Sequence, residues 1–82
     1  MISPPRPAEP LATSAHVRDT SLVVALVDGR TLIVPLGWFP RLKHASMADL
    51  RDVRLTGQGR GLRWDALDED LSVRGLLYPA VA

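Results

Sequence analysis

Leu22-Val23-Val24-Ala25-Leu26-Val27-Asp28-Gly29-Arg30-Thr31-Leu32-Ile33-Val34-Pro35-Leu36 is the stretch that decides the fold. Two apolar runs rich in β-branched residues flank an Asp-Gly pair, and such runs favour pleated, packed strands. Asp-Gly between them predicts a β-hairpin, with a type I′ turn because both central residues of that turn take φ > 0. Both faces of the first run are apolar: Val23, Ala25 and Val27 on one side, Leu22, Val24 and Leu26 on the other. A hairpin patterned this way is expected to be covered on both sides or to sit at an oligomer interface. Pro35 has no N–H to give to a ladder, so its strand ends there or lies at a sheet edge.

Working outward, Ala15–Arg18 reads as a further short strand. Residues 1–12 hold four of the seven prolines and read as a disordered, extended lead, leaving 13–82 as a single domain. Downstream, Pro40 stands where a first helical residue is expected, giving a short helix to about Ala45. Ser46 is placed to cap a second helix, with Leu42 and Leu50 turned onto the hairpin. Val53–Thr56 and Leu62–Trp64 read as strands joined by the glycine-rich connector Gly57–Gly61. An acidic turn, Asp65–Asp70, leads to Ser72, the N-cap of a last helix Val73–Leu77 that Gly75 weakens. Pro79 limits its extension. The expected fold is α+β: a small twisted antiparallel sheet (two hairpins plus an N-terminal strand) with two to three short helices.

A chain of 82 residues is one domain and buries only about 60% of its unfolded surface. Cysteine is absent, so no disulfide or thiolate site supplements the core. No secretion signal is visible and the apolar runs are too short to span a bilayer, so a cytoplasmic protein with no membrane partner is expected. The net charge is +1, but the charges are unevenly spread. Residues 1–29 carry two arginines against three carboxylates. Residues 30–63 carry seven Lys/Arg against Asp49 and Asp52. Residues 64–82 carry Asp65, Asp68, Glu69 and Asp70 against Arg74 alone. Either folding joins the basic and acidic stretches as surface pairs, or one of them meets a charged partner.

No motif supplies a catalytic set. Gly57-x-Gly59-x-Gly61 lacks the strand–glycine–helix context of a phosphate loop and reads as a hairpin connector. The acidic turn lacks EF-hand spacing. Its carboxylates precede a helix, whose N-terminal dipole accounts for them without a metal. His16 and His44 lie in different elements with no ligand-spaced neighbour. No catalytic residue, metal or cofactor is expected. Lys43, Arg51, Arg54, Arg60 and Arg63 form a basic middle able to meet phosphate if they share a face. Of Trp38, Phe39 and Trp64, any that is exposed is a candidate hot spot for a partner.

The block TLIVPLGWFPRLKHAS, the segment GQGRGLRW and the run LDEDLSVRGLL together resemble domain-of-unknown-function family 2442. The matching residues run from Val34, Pro35, Leu36, Trp38, Phe39, Pro40, Arg41, Leu42 and Ala45 to Gly57, Gly59 and Trp64. They continue with Leu67, Asp68, Glu69, Asp70, Ser72, Val73, Gly75, Leu76 and Leu77. The resemblance covers about residues 14–78. Two positions depart from the family pattern: Arg63, where His is frequent, and Asp65, where Pro is frequent. The resemblance implies a compact α+β fold, a bacterial or phage origin and no established activity. It also implies neighbouring small genes of toxin–antitoxin-like type.

The leading expectation is a non-enzymatic binding module. Its partner is another small protein or a second copy of itself, met through Trp38, Phe39 and Arg41, with Asp68, Glu69 and Asp70 as a second surface. The first alternative is a nucleic-acid-binding accessory protein using residues 41–63. The second is a metal-assisted hydrolase using the acidic turn.

Overall fold

In a computed structural model, which describes residues 10–77, the two apolar runs pair antiparallel as β2 (Ser21–Leu26) and β3 (Thr31–Pro35). The turn between them differs from type I′. Gly29 is left-handed (φ 93°) but Asp28 is not. The Leu26 N–H donates to Arg30 O at 2.8 Å and the Gly29 N–H to Leu26 O at 3.0 Å. This is a three-residue loop with glycine at its bulge. Asp28 instead uses its side chain, with Oδ1 accepting from the Arg30 N–H at 3.0 Å and Oδ2 from Nε at 2.7 Å.

β1 (Ala12–Arg18) pairs with the other side of β2, giving a sheet ordered β1-β2-β3. It begins earlier than the sequence suggested and includes Ala12. The register aligns Val17, Leu22 and Val34 in one inward row and Ala15, Val24 and Leu32 in the next. On the outer face His16, Val23 and Ile33 form one row and Ser14, Ala25 and Thr31 another. Only the inward face is well covered: Leu22 and Val24 are fully buried, whereas Val27 and Ile33 on the other side are each 64% exposed.

The remaining strands make a second antiparallel sheet, β4 (Arg54–Thr56), β5 (Gly61–Trp64) and β6 (Glu69–Ser72), so the strands divide into two sheets of three. β6 corrects the reading of the acidic stretch. A 3-10 turn at Asp65–Leu67 ends on Asp68 in the left-handed region (φ 47°), which aspartate tolerates better than most residues. The chain reverses there and Glu69–Ser72 pairs back onto β5. The carboxylates are thus not gathered at the N-terminus of the last helix, α3 (Val73–Leu77). Ser72 caps that helix, its Oγ accepting from the Gly75 N–H at 2.9 Å.

A 3-10 turn (Leu36–Trp38) leads from β3 into α1 (Pro40–Lys43), which opens on Pro40 as expected but ends before Ala45. α2 (Met47–Arg51) is capped by Ser46, whose Oγ accepts from the Asp49 N–H at 3.2 Å. Leu42 and Leu50 join Leu22, Val24, Val34, Leu62 and Val73 around the fully buried Trp64. Each large apolar side chain so buried contributes on the order of 1.5–3 kcal/mol. The Gly57–Gly59 turn carries the β4–β5 connection onto β1. Gly59 is buried with φ +96°, and a Cβ there would lie 2.5 Å from the carbonyl oxygen of Ala12. The glycine cluster is therefore a hairpin connector whose backbone lies against a neighbouring strand. Residues 1–9 and 78–82, including most of the proline-rich lead and Pro79, lie outside the described residues.

Candidate functional site

The 3-10 turn after β3 leaves Trp38 59% exposed while Phe39, next in the chain, packs partly into the core. The Phe39 N–H closes the turn on Leu36 O at 3.0 Å, and Pro40 then starts α1 with a fixed φ. One residue further, Arg41 reaches across to the second sheet. Its Nη1 donates to the carbonyl oxygen of Asp68 at 2.9 Å, with Leu67 O at 3.5 Å. The Trp38–Arg41 surface and the Asp68–Asp70 surface, separate in the sequence, are thereby joined. Arg41 meets the acidic turn through its backbone, so the carboxylates stay available to other partners.

Those partners are the arginines of β4 and β5. Cross-strand pairing aligns Arg54, Arg63 and Asp70 in one row on the exposed face of the second sheet. The 3-10 turn brings Asp65 and Asp68 over the same row. Arg63 is the hub: Nε donates to Asp65 Oδ1 at 2.8 Å, Nη1 to Asp70 Oδ2 at 2.6 Å and Nη2 to Asp68 Oδ1 at 3.0 Å. Arg54 grips Asp65 with two bonds, Nε to Oδ2 at 2.7 Å and Nη2 to Oδ1 at 3.1 Å. The hydrogen bonds from Arg54, then those from Arg63, hold the Asp65 carboxyl down at about 2. The same bonds raise both arginines above their usual range, Arg54 through Asp65 and Arg63 through Asp65 first and then Asp68. The charge separation seen along the sequence is thus largely neutralised in space.

This arrangement bears on both alternative sites. Two of the basic residues, Arg54 and Arg63, face carboxylates. Lys43, Arg51 and Arg60 are exposed, and Arg60 Nη1 donates to Gly57 O at 3.0 Å. Among the described residues no group of three or more His, Cys, Asp or Glu is placed to hold a metal ion. Glu69 is half-buried in β6, opposite Trp64 in the register. On the outer face of the first sheet lies an open hollow of about 560 Å³, lined by His16, Arg18, Asp19, Val23, Thr31 and Ile33. His44 closes α1 elsewhere.

The family described as Protein of unknown function (DUF2442) matches residues 12–82, nearly the whole described fold. The chain belongs to it. Two solved structures are similar to this DUF2442 chain. A protein of unknown function from Rhodospirillum rubrum shares 38% identity, with 85% of this chain and 87% of that one covered and a TM-score of 0.79. An uncharacterised protein from Chromobacterium violaceum, solved in solution by NMR, shares 26% identity, with 82% of this chain and 63% of that one covered and a TM-score of 0.71. No curated protein matches. Arg63 and Asp65, the two departures from the DUF2442 pattern, are direct partners, 2.8 Å apart. Sequence reasoning weighs Asp65 as part of the acidic turn that could hold a metal and misses its pairing with Arg54 and Arg63. The available signal is its spacing from Arg63, two residues away, within reach of a long guanidinium side chain.

Proposed function

We propose that this DUF2442 protein is a non-enzymatic, cytoplasmic protein-binding domain of bacteria, the neutralising or regulatory half of a small two-gene module of toxin–antitoxin-like type. The observation that carries this reading is Trp38. A tryptophan 59% exposed, in a chain that buries its other described tryptophan completely, is an unusual expense of apolar surface. Exposed Trp and Arg side chains held in place are the residue types that dominate protein interfaces. Trp38 stands on a turn fixed by Pro40 behind it and by Arg41 docked on the Asp68 carbonyl. The nearby carboxylates of Asp68 and Asp70 are held by Arg63, so they border such a surface with paired charges. The commitment of Arg54 and Arg63 to aspartates favours this reading over phosphate binding through residues 41–63. It equally disfavours a metal-assisted hydrolase built on the acidic turn.

The test is affinity capture from the bacterial host with the full chain and its Trp38→Ala variant, identifying bound protein and nucleic acid together. A stoichiometric small protein held by the unaltered chain and lost from the variant is the expected result. Salt-sensitive recovery of nucleic acid without protein, indifferent to Trp38, would overturn it.

A further inference from the structure

Two three-stranded sheets present four outer edges, and three of them are closed to further pairing. β1 and β4 lie against one another, with the Gly57–Gly59 turn also on β1. β6 is short, holds Glu69 and Asp70, and runs directly into α3. A charge at an edge is a common device against unwanted strand addition. β3 carries no charge, and its one guard is Pro35 at its last position. Its neighbour in the sheet is β2 alone, and no charged residue occurs from Thr31 to Phe39.

The hydrogen-bond parity of β3 follows from its two ends. Leu26 donates to Arg30 O and Leu36 donates to Thr20 O, so the even-numbered residues of β3 bond to β2. Thr31, Ile33 and Pro35 then turn their backbone groups outward. Their side chains lie on the exposed face, with Ile33 64% exposed at the centre. Among the described residues, three of the four large exposed apolar side chains are spaced along this hairpin: Val27 at its loop, Ile33 in the middle and Trp38 just beyond its end. Val27 sits in the loop and Trp38 on the 3-10 turn, so Thr31, Ile33 and Pro35 lie on the edge itself.

We infer that the β3 edge pairs antiparallel with the β3 edge of a second copy of this chain, about a two-fold axis at Ile33. That symmetry sets Ile33 opposite its counterpart and brings the Val27 end of each hairpin to the Trp38 end of the other. Ile33 exchanges both backbone bonds with its counterpart. Thr31 donates to the opposite Pro35 carbonyl, and Pro35 itself has no N–H to return. About four hydrogen bonds cross the edge, and a slide toward Pro35 loses some of them. The outward groups of Thr31, Ile33 and Pro35 are symmetric about Ile33, as an isologous interface requires, and an uncharged edge sets no like charges against each other in two copies. The result is a continuous six-stranded sheet, with the two outer-face hollows beside one another. This goes beyond the proposed function and shares only Trp38 with it.

Light scattering on the eluting full chain tests the inference. The expected mass is twice 9.0 kDa at high concentration, falling to 9.0 kDa for Ile33→Lys, which places a charge on an exposed edge position without touching the core. Amide hydrogen exchange read by NMR should show Thr31 and Ile33 protected at high concentration and fast on dilution. A monomer at every concentration overturns the inference. So does a dimer unaffected by Ile33→Lys, or one in which the Thr31 and Ile33 amides exchange freely. Because Ile33→Lys retains Trp38, a monomeric variant that still captures a small protein separates this inference from the proposed function.

Discussion

The indole N–H of Trp64 donates to the backbone carbonyl of Leu50 at 3.0 Å inside the core. Leu50 lies in the last turn of α2, where carbonyls have no partner within the helix. The bond therefore ties the second sheet to a helix end that has few other means of satisfaction. Trp64→Phe leaves that carbonyl buried and unpaired and opens a small void. The expected loss is about 2–4 kcal/mol, seen as a lower urea midpoint with unchanged slope. Trp38→Phe, at an exposed site, should stay within about 0.5 kcal/mol.

Gly59 and Gly29 both have positive φ but differ in surroundings. A Cβ at Gly59 meets the Ala12 carbonyl at 2.5 Å, whereas one at Gly29 meets nothing within 4 Å. Gly29→Ala should cost about 1 kcal/mol from backbone strain alone. Gly59→Ala adds displacement of β1 and should cost about 2–4 kcal/mol. Thermal unfolding of the two variants side by side checks the difference.

The depressed Asp65 carboxyl gives stability a defined pH dependence. Its folded value of about 2 lies below the ordinary 3.8, so the ionised form favours the folded chain. That contribution is fully present above the ordinary value and is lost as pH falls from there through about 2. The stability gap between the unaltered chain and Asp65→Asn should be constant from neutral pH to about pH 5 and close as the solution is acidified further. Because the pair is exposed, the gap is small and shrinks with added salt. Urea titrations across this pH range measure it.

Gly75 looks like a defect in α3 until its neighbour is considered. A Cβ there would stand 2.6 Å from Ser72 Oγ, the atom that caps the helix through the Gly75 N–H. Gly75→Ala alone should therefore fail to stabilise, while the same change in a Ser72→Ala background should gain about 0.5–1 kcal/mol over that background. A double-mutant cycle in urea reads the coupling directly.

The legible parts of this fold were those specified by adjacent residues. The Asp-Gly pair announces a hairpin, Pro40 opens a helix and Ser46 and Ser72 cap theirs, each through chemistry contained within a few positions. β6 was hidden because its reversal depends on Asp68 adopting a left-handed conformation, and because Leu71 is the only apolar residue in Glu69–Ser72. Division into two sheets depends on which edges dock, a long-range outcome with no local signature. At the candidate site, Trp38, Arg41 and the acidic turn were visible as residue types. Their meeting was not, since Arg41 and Asp68 are brought together by packing between elements far apart in the chain. The pairing of Arg54 and Arg63 with Asp65, Asp68 and Asp70 likewise required the register of β4, β5 and β6.

The strand orders β1-β2-β3 and β4-β5-β6 have a kinetic meaning. Every ladder joins strands that are consecutive in the chain, so each meander closes through short loops with little entropy to overcome. The costly event is the docking of one meander on the other, where the Gly59 backbone seats against Ala12. Because one core spans both meanders, opening of the seam should expose it and carry both ladders with it. A single methyl group at Gly59 would then act on the speed of unfolding more than on the formation of either meander.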